Sequence, residues 1–266
     1  MILVTGANGF IGGHFVKALG ARGEEVLGVD WVDRGWIEYW PWNEISLIIH
    51  QGAQSSTVLK NPGEYWSNNV DWTINELFSK AVEYGIPVKY ASSASVYGRN
   101  VNTVINPLNQ YALSKLQVDY WVEDYIDQFP LIQGFRYFNV YGPGEEGKGD
   151  QASPVSKFGW QAQETGKIRI FEGSARYSRD FIYVGDLVNV VLDNDRGSGI
   201  YDLGSCKPTS FKQVADMVAF KYNAEIEVVP FPDHLKGKYQ ELTCSAESWN
   251  KRFISVQEYL NDPRLS

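Results

Sequence analysis

Residues 1–13 read MILVTGANGFIGG: five apolar or β-branched residues, glycines at positions 6, 9 and 12, then the first turn of a helical run. Glycine allows a tight turn and, lacking a Cβ, lets a diphosphate approach the N-terminus of the next helix, where backbone amides have no partner within the helix. A glycine trio is common. Here a strand precedes it, the amphipathic segment FVKALGARG follows it, and Asp30 closes the next apolar run, EVLGVD. That context predicts a dinucleotide-binding βαβ unit with the turn carrying Gly6, Gly9 and Gly12 at the pyrophosphate. The carboxylate of Asp30 accepts from a ribose hydroxyl, which favours NAD, whereas Arg34 offers a charge for the extra phosphate of NADP. The two signals conflict, and the expected cofactor is NADP with NAD as the alternative.

Outward from that turn, the β-branched runs SLIIHQGA, VKYASSAS and LIQGFRYFNV alternate with helical patterns in EYWSNNVDWTINELFSKAVEYG and YALSKLQVDYWVEDYIDQF. The alternation predicts an α/β fold, a Rossmann-type doubly wound parallel sheet. After Tyr141 the pattern changes to a Gly-rich loop, a helix from about Pro154, the strand IRIFEGS and the pair RDFIYVGDLVNVVLDN and GIYDLGS. A dinucleotide-binding domain over 1–140, with 180–204 returning to it, and a smaller C-terminal α/β substrate-binding domain over 141–179 and 205–266 are therefore expected. Ser210 with Gln213, and Ser255 with Glu258, have the spacing of capping boxes that start late helices.

The chain has 266 residues, 44% hydrophobic, enough for a substantial core. A net charge of −8 repels phosphate at long range, which argues against nucleic acid or an anionic membrane as partner. Two cysteines, Cys206 and Cys244, make neither a disulfide framework nor a recurrent metal spacing. No stretch approaches the ~20 apolar residues of a membrane span. The strand starts almost at Met1, without the pattern of a leader, and a cytoplasmic location is expected.

Tyr111 and Lys115 in YALSK are four residues apart, hence on one helix face. A cation beside a phenol lowers its pKa, which would let Tyr111 take or return an alcohol proton while a hydride moves. The pairing is common by itself, but the strand VKYASSAS ends where Ser93 would present a hydroxyl to the same substrate oxygen.

TGANGFIG, ASSASVYG, YALSK and GFRYFNVYGP, in that order over nearly all of residues 1–143, resemble the extended short-chain dehydrogenase/reductase (NAD-dependent epimerase/dehydratase) family. Within it, GFRYFNVYGPGEEGKGDQAS, FEGSARYSRDFIYVGD and VPFPDHLKGKYQ look like the ADP-glyceromanno-heptose 6-epimerases, isomerases that make a lipopolysaccharide precursor. The resemblance implies Tyr111 and Lys148 as two acid/base residues, with Lys115 on the nicotinamide ribose and Ser93 supporting the reacting oxygen. It implies cofactor contacts at Phe10, Ile11, Asp30, Trp31, Gln51, Gly52, Ala53, Gln54, Ser55, Asn68 and Val140. Substrate contacts are implied at Asn139, Asp150, Lys157, Phe171, Glu172, Gly173, Ser174, Arg179 and Tyr239. At Asp150 and Lys157 the residue types depart from the family's usual Ser and His. A nucleotide-diphosphate sugar is the implied small-molecule partner, and a homo-oligomer is expected. Between Asp30 and SLIIHQGA a short aromatic segment, RGWIEYWPWNE, stands where the family has a helix-strand unit; the loop before Tyr111 and the C-terminus are shortened as well.

His14, His50 and His234 match no metal spacing, so structural roles and no metal are expected. Trp31, Trp36, Trp40 and Trp42 suit an adenine pocket wall, packing over a sheet edge or a subunit contact equally. Arg179 suits a clamp on the substrate diphosphate, against an ion pair with Asp180. The alternatives to a 6-epimerase are another nucleotide-sugar 4-epimerase, a 4,6-dehydratase, which has no need of Lys148, or a non-catalytic dinucleotide-binding protein.

Overall fold

A computed structural model describes residues 1–56, 61–99, 104–233 and 240–265. The chain forms two compact units: Met1–Val96, Pro107–Tyr137 and Val188–Tyr201 make the first, Tyr97–Asn106, Phe138–Leu187 and Asp202–Ser266 the second.

The first unit begins with β1 (Ile2–Thr5), α1 (Phe10–Ala21), β2 (Val26–Val29) and β3 (Leu47–His50). A long helix follows, opening as α2 (Pro62–Tyr65), continuing in wider i→i+5 turns over Trp66–Phe78 and closing as α3 (Ser79–Glu83). Pro62 sits in its first turn, where a missing amide costs nothing. Then come β4 (Val88–Ser93), α4 (Gln110–Tyr125) and β5 (Ile132–Tyr137). β1 pairs in parallel with β2 on one side and β3 on the other, and β3, β4 and β5 continue the parallel ladder. The sheet order is β2-β1-β3-β4-β5, with β9 (Gly199–Leu203) as sixth strand. The order reverses at β1, so the carboxyl ends of β1 and β3 flank the switch point where open α/β sheets bind ligands.

Leu3, Ile48, Val88 and Ile132, one from each of four neighbouring strands, pack with Leu77, Phe78, Val118 and Val122. Each such side chain contributes about 1.5–3 kcal/mol on burial. The short aromatic segment joins this core: tight turns over Trp31–Tyr39 and Trp42–Glu44 bury Ile37 and Trp42, and Trp42 donates to the Ile37 carbonyl at 2.8 Å. Trp31 and Trp36 remain exposed. The four tryptophans therefore divide, two packed inward and two at the surface.

The second unit contains β6 (Asn139–Tyr141), α5 (Pro154–Thr165), β7 (Lys167–Phe171), β8 (Ser178–Tyr183), β10 (Pro208–Ser210), α7 (Phe211–Tyr222), β11 (Glu225–Val229) and α8 (Val256–Asn261). α6 (Val184–Asp193) leads back to the first unit. Both expected capping boxes form. Two boundaries differ from the sequence reading. The run LIQGFRYFNV is not one strand: β5 stays in the large sheet while β6 pairs with β8. Because β8 satisfies its backbone against β6 and β10, residues 180–187 belong to the second unit, and the return starts at Val188. An apolar pattern alone does not say which ladder a strand joins. Among the described residues no helix is long and apolar enough to cross a membrane.

His50, at the end of β3, is buried between two hydroxyls, Thr5 Oγ1 at 2.6 Å from Nδ1 and Thr73 Oγ1 at 3.0 Å from Nε2. Burial, aided by the cations Lys115 and Arg34, holds its pKa well below the ordinary histidine value. The unfolded chain takes up that proton near pH 6.5, the folded chain does not, so stability falls as pH drops below about 6.5, by up to about 1.4 kcal/mol per unit from this one group. Urea midpoints at pH 7.5 and 5.5 should converge more closely in His50→Gln than in the parent. The same pH dependence in both proteins would contradict this assignment.

Candidate active site

The glycine turn is set by close packing. Gly6 has φ +67°, and a Cβ there would lie 2.7 Å from the amide nitrogen of Gly52. A Cβ on Gly12 would lie 2.0 Å from the Gly6 carbonyl oxygen, closer than any side chain tolerates. Gly9 is the N-cap of α1 without a side-chain cap, and the first intrahelical bond runs from Gly13. The amides of Phe10, Ile11 and Gly12 thus lead into a cradle that a Cβ would fill, and the residues fit a pyrophosphate.

Around the turn, Asp30 accepts from Asn8 N at 2.9 Å and Trp31 N at 2.7 Å, while its own amide donates to Asp33 at 2.7 Å. A carboxylate has further lone pairs, so the Asp30 oxygens keep capacity for a ribose hydroxyl. Arg34 is differently placed from the expected phosphate clamp. Its guanidinium lies over the rings of Trp31 (4.5 Å) and Trp72 (4.2 Å) and donates to the backbone and side-chain oxygens of Asn68. Burial lowers its pKa to about 10, against the pull of Asp30. A cation already committed to two indoles gives no structural support to NADP as the principal cofactor.

The expected run Gln51 to Ser55 lies at the carboxyl end of β3. The Gly52 amide donates to Thr5 Oγ1 at 3.1 Å. Asn69, not singled out in the sequence, holds the rest: its Oδ1 accepts from Gln54 N at 2.7 Å, and its Nδ2 donates to Gln54 O and to Ser114 Oγ, both at 3.0 Å. Ser114 Oγ in turn donates to the Tyr111 carbonyl at 2.7 Å. The loop and α4 are thereby tied through one buried amide.

α4 starts at Asn109, whose side chain accepts from Ala112 N at 2.9 Å. One turn in, Tyr111 hydrogen-bonds Ser93 at the end of β4. Lys115, 6% exposed, donates to the Ala91 carbonyl at 2.8 Å. Ser93, Tyr111 and Lys115 therefore converge. The expected lowering of the phenol pKa is not found in the chain by itself: burial raises Tyr111, and the Ser93 bond only moderates this. Burial acts on Lys115 as well, lowering its pKa to about 8 against the attraction of Asp119.

In the second unit Lys148 Nζ lies 2.8 Å from Glu145 Oε2. Glu145 is buried and also accepts from Ser153 N and Oγ, both at 2.7 Å, and from Ser156 Oγ at 2.8 Å. The sequence reading missed Glu145, although its spacing of three from Lys148 was a usable signal. Lys157 donates to the Asp150 carbonyl at 2.7 Å, and Asn139 Oδ1 accepts from Thr243. Val140 lies in β6. Arg179 is buried, donates to Ser178 O at 2.8 Å and lies over the ring of Phe211, while the Asp180 carboxylate accepts from Ser205, Cys206 and Ser245. Phe171 packs its exposed ring against Phe231, and the chain turns through Glu172 and Gly173 (φ +77°) to the buried Ser174. Tyr239 and His234 lie outside the described residues.

The sequence pattern of the NAD dependent epimerase/dehydratase family matches residues 2–204. The fold is similar to that of the Helicobacter pylori ADP-L-glycero-D-manno-heptose-6-epimerase, with 22% identity and a TM-score of 0.87 over 97% of this chain and 93% of that one. The Thermus thermophilus UDP-glucose 4-epimerase, solved in complex with NAD, gives 25% identity and 0.79 over 92% and 90%. The Thermotoga maritima UDP-glucose 4-epimerase, solved with UDP-glucose, gives 22% and 0.83 over 97% and 96%.

A Cβ on Gly9 would press to 3.2 Å on the Gly6 carbonyl, within the space a diphosphate needs. Gly9→Val should abolish calorimetric binding of NAD while the chain stays folded by circular dichroism; undiminished affinity would remove the turn as the cofactor site. Arg34→Ala should lower stability by about 1–3 kcal/mol through the lost ring contacts and leave the ratio of NAD to NADP affinity unchanged. A selective loss of NADP affinity would return Arg34 to the phosphate.

Proposed function

The chain belongs to the NAD dependent epimerase/dehydratase family and is an NAD-dependent enzyme of the nucleotide-sugar epimerase kind; on that premise we propose that it binds NAD and inverts carbon 6 of an ADP-linked manno-heptose. The observation that carries this reading is the seam in which Tyr111 meets Ser93 while Lys115 is held on the Ala91 carbonyl. The long stretches around Lys148 and the Glu145–Lys148 pair support the choice of substrate.

A bound oxidised nicotinamide supplies a reversible acceptor for carbon-bound hydrogen and a positive charge of the sign that lowers a nearby phenol pKa. Gly6, Gly9 and Gly12 would receive the pyrophosphate, Asp30 the adenosine ribose, and Lys115 the nicotinamide ribose. A carbon bearing only hydroxyl and hydrogen has no acidic proton, so its inversion requires that the alcohol be oxidised and then reduced from the other face. Tyr111 takes the hydroxyl proton as the carbonyl forms, and the Ser93 hydroxyl steadies the oxygen on which charge develops. Carbon 6 lies on a side chain, so rotation about the adjoining bond presents its other face and moves the oxygen to a second place. Lys148 serves there: its ammonium, held by Glu145, returns a proton to the oxygen. A 4-epimerase of a ring carbon has no use for this second proton site.

The test offers ADP-linked manno-heptose and UDP-glucose to the parent, Tyr111→Phe and Lys148→Met. The parent should interconvert the heptose epimers, and each variant should lose about 10²- to 10⁴-fold. Turnover of UDP-glucose alone, indifferent to Lys148→Met, would replace the heptose reading with a 4-epimerase.

A further inference from the structure

α4 carries Tyr111, Lys115 and Asp119 at intervals of four, on one helix face, and the third of these is the most buried, with no measurable exposure. Asp119 reaches the same strand as the other two. Its Oδ1 accepts from Tyr90 Oη at 3.0 Å and its Oδ2 from Ser92 Oγ at 2.9 Å. Tyr90 and Ser92 stand on either side of Ala91, whose carbonyl holds the Lys115 ammonium. Arg136 on β5 donates Nε to Oδ2 at 2.9 Å. Three donors thus converge on a carboxylate one turn beyond the lysine, a costly group to bury unless it has a task or a partner.

We propose that Asp119 is a positioning residue for the Tyr111–Lys115 pair: it clamps the residues flanking Ala91, fixing how α4 lies along β4, and its negative charge holds the Lys115 ammonium in a seam that disfavours cations. The inference rests on Tyr111 and Lys115 being the reacting pair. Burial pushes Lys115 down to about 8, and Asp119 is the attraction that opposes it. Burial also raises Asp119 itself, while Arg136, Ser92 and Tyr90 hold it towards the charged form. The other titratable groups around this seam are Tyr111 and Glu123 on the same helix, Tyr90 on β4, Arg136 on β5 and His50 on β3, the last held neutral. Asp119 is the acid whose charge acts on Lys115. Without it, burial would draw Lys115 further towards its neutral form.

The test titrates Lys115 in the full chain by NMR of lysine labelled at Cε, the signal being assigned by its loss in Lys115→Arg. Asp119→Asn should move the Lys115 inflection down by about one pH unit or more, and the alkaline limb of the activity profile should move with it. Tyr90→Phe, which removes a hydrogen bond to Asp119 but leaves the charge, should leave the inflection in place. If Asp119→Asn does not fold because Arg136 is left unpaired, Asp119→Asn with Arg136→Gln removes both charges together and should still shift Lys115 downward. An unmoved inflection in a folded Asp119 variant, or an equal shift in Tyr90→Phe, would overturn the proposal. Full activity of Tyr111→Phe would instead remove the functional reading, and the Lys115 titration would still report on Asp119 independently.

Discussion

An ammonium that is almost out of water needs oxygen around it, and Lys115 finds the carbonyl of Ala91 at 2.8 Å. That bond is one of a row of ties between α4 and β4. One turn earlier, Tyr111 arrives at Ser93. One turn later, Asp119 closes on Tyr90 and Ser92. Through Ser114 and Asn69 the same helix is tied to Gln54, in the loop beyond β3. That loop abuts the glycine turn, because Gly6 leaves room for Gly52. The glycine turn, the loop beyond β3 and α4 with the proposed reacting phenol are therefore linked by packing and hydrogen bonds.

The two lysines of the proposed mechanism are treated differently by the fold. Lys115 is stripped of water, which lowers its pKa, and is held by the Ala91 carbonyl with the charge of Asp119 opposing the effect of burial. Lys148 has a buried carboxylate, Glu145, which the N-terminus of α5 and two serines already hold in place. The first arrangement suits holding a ribose hydroxyl; the second suits delivering a proton from a fixed place.

The local geometry of the candidate site was readable from the sequence because it depends on short spacings. Gly6, Gly9 and Gly12 sit at intervals dictated by a turn into a helix, and Tyr111 and Lys115 at the interval of one helical turn. The parallel order of the sheet followed from the alternation of apolar runs and helical patterns. What was not readable depends on partners distant in the chain. Arg34 looked like a phosphate ligand until Trp72, 38 residues away by number (72 − 34), closed over it. Asn69 was passed over in favour of its neighbour Asn68, since nothing in a helical pattern says which amide faces Gln54. β8 read as a strand of the large sheet because an apolar run does not reveal whether its backbone will bond to β6 or to β5. The phenol pKa went the wrong way for a similar reason: spacing shows the nearby cation, but only the packed chain shows how far burial raises the phenol and lowers the lysine.

The most direct test of inversion by oxidation and return at this seam follows deuterium placed on carbon 6 of the ADP-linked heptose. With the hydrogen taken and returned inside the site, both epimers at equilibrium should retain the label on that carbon, and a parallel reaction in deuterated water should introduce none. Loss of the label to solvent, or its entry from solvent, would mean that the carbon is inverted through a proton exchanged with water, and the roles proposed for Tyr111, Lys115 and the cofactor turn would be wrong.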